Sequence, residues 1–169
     1  FVFFSIKCSS SGNLWEKVVG GGVNLLTGKY DNSLDEKGRI LFPAKLRGAI
    51  EGDAVWITQG IDRCLWLFTP DEWEKLSSKL MESASPFNTR NLQVLRRFIG
   101  PAQQIDFDRT GRLSIPHSLR EYAGLSKECV ILGVCKYVEL WDAAAYQAYL
   151  TATDDSFQQA AEELKSISF

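Results

Sequence analysis

DEKGRILFPAKLR, at residues 35–47, recurs 73 positions later as DRTGRLSIPHSLR, at residues 108–120. The two copies are identical at six of thirteen positions, and the same offset relates Gly60 to Gly133. A repeat of this length indicates two copies of one small structural unit in a single chain. We therefore expect the protein to act through two pseudo-equivalent faces.

Each copy is predicted to form strand, turn, strand, short helix, two strands and a helix. In the first half the predicted strands are 26–30, 38–42, 54–58 and 64–68, the helices 44–50 and 71–81, and a turn lies at 31–32. In the second half one predicted strand ends at 107, and the others span 112–115, 129–132 and 137–141. The predicted helices are 116–123 and 143–150, and a frayed polar helix follows over 154–168. Four strands of about five residues make a poor core alone. The halves are therefore expected to interleave their strands and close one common barrel without open edges.

The predicted organisation has five parts, bounded by composition and by the repeat. They are an atypical extension at 1–24, a first repeat at 25–82, a connecting helix at 83–100, a second repeat at 101–153 and a tail at 154–169. The extension is apolar at its start and contains Gly20-Gly-Gly22, and a leader segment is one interpretation of it.

Charge and cysteine content exclude several classes of protein. The net charge is -2, so the whole molecule is not the basic body typical of a nonspecific nucleic-acid binder. Any anion-binding function would need locally clustered Arg and Lys, or clustering through oligomerisation. The four cysteines show no CxxC spacing, and His117 is the only histidine, which argues against a zinc site. We expect reduced cytosolic thiols, no metal, no cofactor and no membrane segment.

The Asp-x-x-Gly-Arg turn carries the chemistry of the repeat. Its members are Asp35, Gly38 and Arg39 in the first copy and Asp108, Gly111 and Arg112 in the second. An aspartate at the head of a turn accepts backbone N–H groups, and glycine supplies a positive φ. The turn would then present the arginine at the start of a strand, where a carboxylate–guanidinium pair could orient it.

Two interpretations of these arginines stay open from residue chemistry alone. Arg39 and Arg112 either bind a ligand or only brace the turn. Arg47 and Arg120 end short helices, where a cation interacts favourably with the helix dipole, so capping is their simpler role. Lysines such as Lys29 and Lys37 cluster around the first motif, which makes the first copy electrostatically stronger than the second.

The sequence resembles the bacterial MraZ family over residues 25–150. The resemblance rests on LTGKYDNSLDEKGR at 26–39, the Pro-x-x-x-Arg that follows it, and GIDRCLWLF at 60–68. The second half contributes Asp-x-x-Gly-Arg-x-x-Ile-Pro-x-x-Leu-Arg-Glu-Tyr-Ala-Gly at 108–124. The twin Asp-x-x-x-Arg is the most diagnostic element.

This resemblance implies an α+β fold that is mainly β, in which tandem AbrB-like swapped-hairpin units form one pseudo-twofold β-barrel with peripheral helices. It implies a ring-shaped homo-oligomer in the cytoplasm and nucleoid that binds double-stranded DNA at direct repeats upstream of the division and cell-wall gene cluster. The DNA-binding residues carried over are Arg39 and Arg112, then Arg47 and Arg120, with Lys29 and Lys37 nearby. Asp35, Gly38, Asp108 and Gly111 would fix the turns.

Two other functions compete with DNA binding. An enzyme is disfavoured because the chain has a lone histidine, no Gly-rich phosphate loop and no Ser–His or Cys–His arrangement, so no small-molecule substrate is expected. His117 is predicted to be a surface residue. A ring or interaction scaffold that binds no DNA remains the alternative, with tryptophans such as Trp56 or Trp141 available to an interface.

Overall fold

The strands of the two repeats pair across the halves of the chain. The computed structural model describes residues 25–85 and 87–163, so the predictions for residues 1–24 and for the end of the tail lie outside the described residues. The elements are β1 (Leu26–Ser33), β2 (Arg39–Leu41), α1 (Ala44–Arg47), β3 (Ala54–Gln59), β4 (Leu65–Phe68), α2 (Pro70–Ser83), α3 (Thr89–Phe98), β5 (Gln103–Asp106), β6 (Arg112–Ser114), α4 (His117–Ala123), β7 (Glu128–Cys135), β8 (Tyr137–Asp142) and α5 (Ala143–Glu163).

Six strands form an antiparallel sheet in the order β1-β7-β8-β4-β3-β5. β1 of the first half pairs with β7 of the second half, and β5 of the second half pairs with β3 of the first. The remaining strands, β2 and β6, pair with each other as a separate two-stranded ribbon. The halves are thus interleaved, as the short strands predicted, and the fold is a mainly-β α+β fold.

The hydrogen-bonded sheet of the described residues does not by itself form the closed barrel that was predicted. Within the described part of the chain, β1 and β5 are its edge strands. Single bridges, Leu34 to Ile40 and Phe107 to Leu113, connect the ends of these edges to the β2–β6 ribbon. A continuous ladder of hydrogen bonds around the molecule is therefore not shown, because each junction consists of one bridge.

The register of the β2–β6 ribbon and of the β4–β8 pair follows the repeat. The 73-residue offset converts the ribbon pair Arg39–Ser114 into the pair Arg112–Leu41. The same exchange holds in the middle of the sheet, where β4 pairs with β8. Equivalent residues of the two halves therefore face each other across a pseudo-twofold relation that passes through the ribbon and through the β4–β8 pair.

One hydrophobic core lies between the ribbon, the short helices and the inner face of the sheet. Its members come from both halves and include Ile40, Leu46, Val55, Ile57, Leu65, Leu113, Leu119, Ile131, Val138 and Leu140, all almost fully buried. Burying one such side chain contributes roughly 1.5–3 kcal/mol. Since residues of both halves share this core, neither half has a complete hydrophobic interior of its own.

Two local predictions were wrong. The turn predicted at 31–32 is strand, because Asp31 and Asn32 continue the pairing of β1 with β7. Tertiary pairing overrides the turn propensity of these two residues. The helix predicted at 143–150 and the separate polar helix in the tail are instead one continuous helix, α5, up to Glu163. That helix is long, yet none of the described helices is apolar enough to cross a bilayer.

Two thiols belong to the interior. Burial, with the nearby Glu139 charge as a smaller cause, raises the pKa of Cys64 to about 12. Burial raises the pKa of Cys129 to about 11, assisted by Asp142. Both thiols therefore stay protonated near neutral pH and act as small apolar residues.

Asp142 joins the second half's last strand to α5. One carboxylate oxygen, Oδ1, accepts N–H bonds from Ala144 and Ala145 at 3.0 and 3.1 Å, which caps the helix. The other oxygen, Oδ2, accepts bonds from the backbone N–H and the hydroxyl of Ser126 at 3.1 and 2.5 Å. The equivalent residue of the first half is Thr69, whose hydroxyl accepts one bond of 3.3 Å.

We expect Asp142→Ala to lower the free energy of unfolding by about 1–3 kcal/mol, because a buried cap and a loop anchor are lost together. Thr69→Ala, the matched control, should cost about 0.5–1 kcal/mol because it removes one long hydrogen bond. Urea unfolding measures both. An Asp142→Ala loss no greater than the Thr69→Ala loss would contradict this role.

The stability that Asp142 contributes should depend on pH. Desolvation opposes ionisation of Asp142, but its hydrogen bonds from Ser126, Ala145 and Ala144 outweigh this effect and lower its pKa from 3.8. The stabilisation by Asp142 is therefore complete above pH 3.8 and is lost as the pH falls through the folded-state pKa. When the free energy of unfolding is measured against pH, the Asp142→Asn protein should lack this pH-dependent contribution.

Candidate nucleic-acid interface

The β2–β6 ribbon brings the two repeated motifs side by side. Ile40 and Leu113 pair at its centre and are 1% and 0% exposed. Successive side chains of a strand point to opposite faces. Arg39 and Arg112, which flank the buried pair, therefore lie together on the outer face of the ribbon.

The first turn is fixed by Asp35. Its Oδ1 accepts the backbone N–H groups of Lys37 and Arg39, both at 2.9 Å. The turn also contains the backbone bond from the Gly38 N–H to the Asp35 carbonyl, 2.9 Å long. Gly38 has a φ of 75°, a conformation that residues with a side chain rarely adopt. These contacts set where the Arg39 backbone leaves the turn.

The same carboxylate holds the Arg39 side chain. Asp35 Oδ2 accepts from Arg39 Nε and from Arg39 Nη2, each at 2.8 Å. The two side chains are 32% and 35% exposed, so the pair lies at the surface without being fully solvated. Chiefly the backbone N–H of Arg39, and then its guanidinium, lower the pKa of Asp35. The guanidinium is therefore oriented by one edge, and its Nη1 forms no hydrogen bond with another described residue.

The second turn has the same backbone but a different side-chain arrangement. Asp108 Oδ1 accepts from the backbone N–H groups of Thr110 and Arg112 at 2.8 and 2.9 Å, and from the Thr110 hydroxyl at 2.7 Å. The N–H of Arg112 and the Thr110 hydroxyl are the main causes that lower the pKa of Asp108. Within the described ranges the Arg112 guanidinium forms no ion pair or hydrogen bond, so its orientation is less restricted than that of Arg39.

Arg47 is engaged in internal contacts. Its Nη2 donates to Asp53 at 2.6 Å and its Nη1 donates to the Ile50 carbonyl at 3.1 Å. Its guanidinium also lies 4.4 Å from the ring centre of Phe107, which belongs to the other half and directly precedes the second turn. Arg47 thus closes the end of α1 and packs against the approach to the second turn.

Arg120 makes the reciprocal contact with the first turn. Its Nε donates to the Ile115 carbonyl at 3.1 Å. Its guanidinium carbon would lie 2.6 Å from a Cβ added at Gly38, so the glycine also makes room for this arginine. Arg47 and Arg120 therefore each contact the turn region of the opposite half.

The two lysines predicted for the site differ in position. Lys37 lies in the first turn with an exposed side chain. Lys29 lies in the middle of β1, with its ammonium 3.7 Å from Asp31 and 5.6 Å from the ring centre of Tyr146 on α5. Lys29 therefore contacts the helical side of the sheet, whereas Lys37 lies beside Arg39.

A groove beside the ribbon contains residues that the sequence motifs did not indicate. It is lined by Arg39 and Arg112 together with Asn32, Ser126 and Lys127. Lys127 reaches this place because its carbonyl accepts the Leu34 N–H at 2.8 Å, next to the β1–β7 pairing. It lies seven residues beyond the repeated stretch, so only the pairing of the halves could have indicated it.

His117, predicted to lie at the surface, is exposed there with its Nδ1 3.3 Å from a Glu121 oxygen. Both side chains lie on the outside of α4. Among the described residues, no hydrogen bond or ion pair joins either of them to a turn motif.

Comparison with known proteins agrees with the repeat. The family model described as "MraZ protein, putative antitoxin-like" matches twice, at residues 25–96 and 98–167. A protein of Treponema denticola named transcriptional regulator MraZ is 51% identical over 144 residues, covering 85% of this chain and 100% of the relative.

Two further relatives carry the same name. The one from Treponema pallidum strain Nichols is 44% identical, covering 85% of this chain and 97% of the relative. The one from Halothermothrix orenii is 38% identical, covering 85% and 99%. With the family model matched on both halves and relatives of this similarity covered almost entirely, the chain belongs to the MraZ family of transcriptional regulators.

Proposed function

We propose that the chain is a sequence-specific DNA-binding protein and that the outer face of the β2–β6 ribbon is its DNA-binding surface. The observation that carries the proposal is the placement of Arg39 and Arg112 on one face of one ribbon, each at the exit of a carboxylate-fixed turn. The name of the relatives, transcriptional regulator, agrees with this role.

The arrangement of Arg39 suits readout of a base. Asp35 occupies the Nε–Nη2 edge of the guanidinium, so the Nη1–Nη2 edge can donate two parallel bonds. A bidentate arginine to guanine O6 and N7 is the commonest specific contact, and the major groove admits a two-stranded ribbon. Lys37 and Lys127, exposed beside the ribbon, would bind phosphates and position the protein.

The target and assembly follow from the resemblance to the family. We propose direct repeats upstream of the division and cell-wall gene cluster as the operator, a ring of several copies as the binding form, and the cytoplasm with the nucleoid as its location. Joining the ribbons in one assembly would raise affinity by roughly 10²–10⁴ through effective concentration. The closed pseudo-twofold barrel belongs to this proposal too, with the ribbon closing the sheet at its two single bridges.

A non-DNA-binding ring or interaction scaffold is the second candidate. It is favoured by the net charge of -2 and by the internal partners of Arg47 and Arg120, which leave few free cations at the ribbon. A gel shift with the DNA upstream of the protein's own gene separates the two functions. A specific complex at submicromolar protein supports the regulator, whereas binding no tighter to this DNA than to unrelated DNA supports the scaffold.

Replacing Arg39 by Ala should weaken operator binding about tenfold or more, since one bidentate base contact contributes about 1–3 kcal/mol. Arg112→Ala should have a smaller effect, because this side chain is not held in place and fewer lysines surround it. Lys79→Ala, on the exposed face of α2, is the matched control for losing a positive charge. Unchanged operator affinity in a correctly assembled Arg39→Ala protein would refute the assignment.

The orienting role of Asp35 can be separated from its turn. Asp35→Asn keeps an oxygen that can accept the Lys37 and Arg39 N–H groups but removes the charge that pairs with the guanidinium. We expect about a tenfold loss of affinity for the operator, as charge-assisted hydrogen bonds contribute about 1.5–3 kcal/mol. Asp108→Asn, in which no guanidinium pair is lost, should change affinity less, and equal losses in the two variants would contradict this role.

Salt should weaken binding steeply. Six or more phosphate contacts in an assembly predict a loss of about 10³-fold between 50 and 200 mM salt. Lys127→Ala should reduce the slope of log affinity against log salt by about one for each of its phosphate contacts, while the preference for the operator is kept. Fluorescence anisotropy at several salt concentrations gives both quantities, and a slope unaltered by Lys127→Ala would remove this residue from the interface.

A further inference from the structure

The end of α5 leaves the body of the protein. Its first turns pack on the sheet, where the Tyr146 and Tyr149 rings lie 5.6 and 5.1 Å from Trp141. From Leu150 to Glu163 the described side chains are exposed, except for the half-buried Thr153. Most helical stability comes from packing of one face, and an unpacked helix of this length is marginal in water. A partner surface would therefore stabilise the exposed end of α5.

The exposed end of α5 alternates apolar and acidic residues on one face. Leu150, Asp154, Phe157 and Ala161 follow the spacing i, i+4, i+7 and i+11, which places them in one stripe. Leu150 and Phe157 are 41% and 71% exposed. The helix carries four carboxylates and no Lys or Arg. Its partner should therefore be apolar with a basic rim.

A groove between α2 and α3 has these properties. It is lined by Ile61, Leu76, Leu80, Val94, Arg97 and Tyr122. Ile61 and Val94 are 79% and 51% exposed, so the groove presents apolar surface to solvent. We call this set of residues the α2–α3 groove.

The rim of the α2–α3 groove is basic. Helix α3 carries Arg90, Arg96 and Arg97 and no acidic residue. Arg90, Val94 and Arg97 follow the spacing i, i+4 and i+7, the same alternation as on α5 with the opposite charge. Arg63 reaches the other side, donating to the Tyr122 carbonyl at 3.3 Å. These arginines form no ion pair with any residue in the described part of the chain.

We propose that the exposed end of α5 from one copy of the chain docks in the α2–α3 groove of a second copy. Phe157 would occupy the apolar floor between Ile61 and Val94, and Asp154 would lie beside Arg90 and Arg97. The two surfaces are different, so the contact is head-to-tail, and repetition of it generates a ring when the rotation closes. This inference rests on the assembly part of the proposed function and names the contact that builds it.

Double-stranded DNA is the other anion that could meet this basic rim. The geometry favours the helix, because the arginines alternate with exposed Val94 and border the apolar Ile61. Phosphate contacts are made by polar and charged donors and gain nothing from such apolar surface. A surface on which basic and apolar side chains alternate instead matches an amphipathic helix on which acidic and apolar side chains alternate.

Charge reversal in the full chain tests the contact, with sedimentation equilibrium as the readout. Asp154→Arg with Asp155→Arg should raise the dissociation constant of the assembly at least tenfold, towards a single chain of 19.0 kDa. Arg90→Glu with Arg97→Glu should do the same. Combining the four changes should restore the dissociation constant to within about threefold of the original. Circular dichroism verifies that each variant stays folded.

Phe157→Asp tests the apolar part of the contact and should also dissociate the assembly. Met81→Asp is its matched control, since Met81 is 58% exposed on α2 and does not line the groove. The proposal is overturned if the unaltered protein is a monomer at all concentrations. It is equally overturned if Phe157→Asp assembles normally, or if the combined charge reversal recovers no assembly.

The DNA readout separates this inference from the proposed function. Arg39→Ala should lose operator affinity and keep the assembled mass, whereas Phe157→Asp should lose the mass and keep weak binding by single chains. Assembly that responds as expected in a protein that binds no DNA would defeat the proposed function alone. Arg90→Glu with Arg97→Glu that weakens DNA binding and leaves the mass unchanged would place DNA in the groove and overturn the inference.

Discussion

The pairing of Ile40 with Leu113 is the interaction on which the rest of the structure depends. Both side chains are almost completely buried, and they join the centres of the two repeated motifs. A strand slip of one residue would move the whole apolar set to the opposite face. Burial of this pair therefore fixes the register, and the register is what places Arg39 and Arg112 outside together. The geometry of the candidate interface is a consequence of core packing and needs no separate cause.

In the ribbon and its two turns the backbone obeys the pseudo-twofold relation and the side chains break it. Both turns use an aspartate that accepts the N–H of the following arginine, at 2.9 Å in each case. In the first turn the second oxygen of the carboxylate also holds the guanidinium, whereas in the second the Thr110 hydroxyl bonds to the carboxylate instead. One scaffold thus presents one oriented and one less restricted arginine.

The repeat and its turn chemistry could be predicted from sequence because both depend on residues close together in the chain. Aspartate, glycine and arginine at fixed spacing determine a turn locally. Apart from the continuity of α5, what failed or was missed depends on pairing between the halves. Asp31 is a residue type that favours turns, but its pairing with β7 keeps it in a strand. Lys127 joins the candidate interface only because β1 and β7 pair. Arg47 ends α1, as expected, whereas Arg120 lies in the last turn of α4, which continues to Ala123. Their contacts with Phe107 and Gly38 depend on the opposite half.

The net charge of -2 is compatible with anion binding because the charges are separated in space. The charged residues of helix α5 are all acidic, whereas those of α3 are all basic. When oppositely charged surfaces meet in an assembly, their charges offset each other at the contacts. The electrostatic field outside the assembly then depends more on the charged side chains that lie outside such contacts, including those of the ribbon and its lysines. At physiological ionic strength interactions between exposed charges are largely screened beyond roughly 8 Å. Local charge at the ribbon, and not the sum over the chain, therefore decides whether a phosphate backbone is attracted.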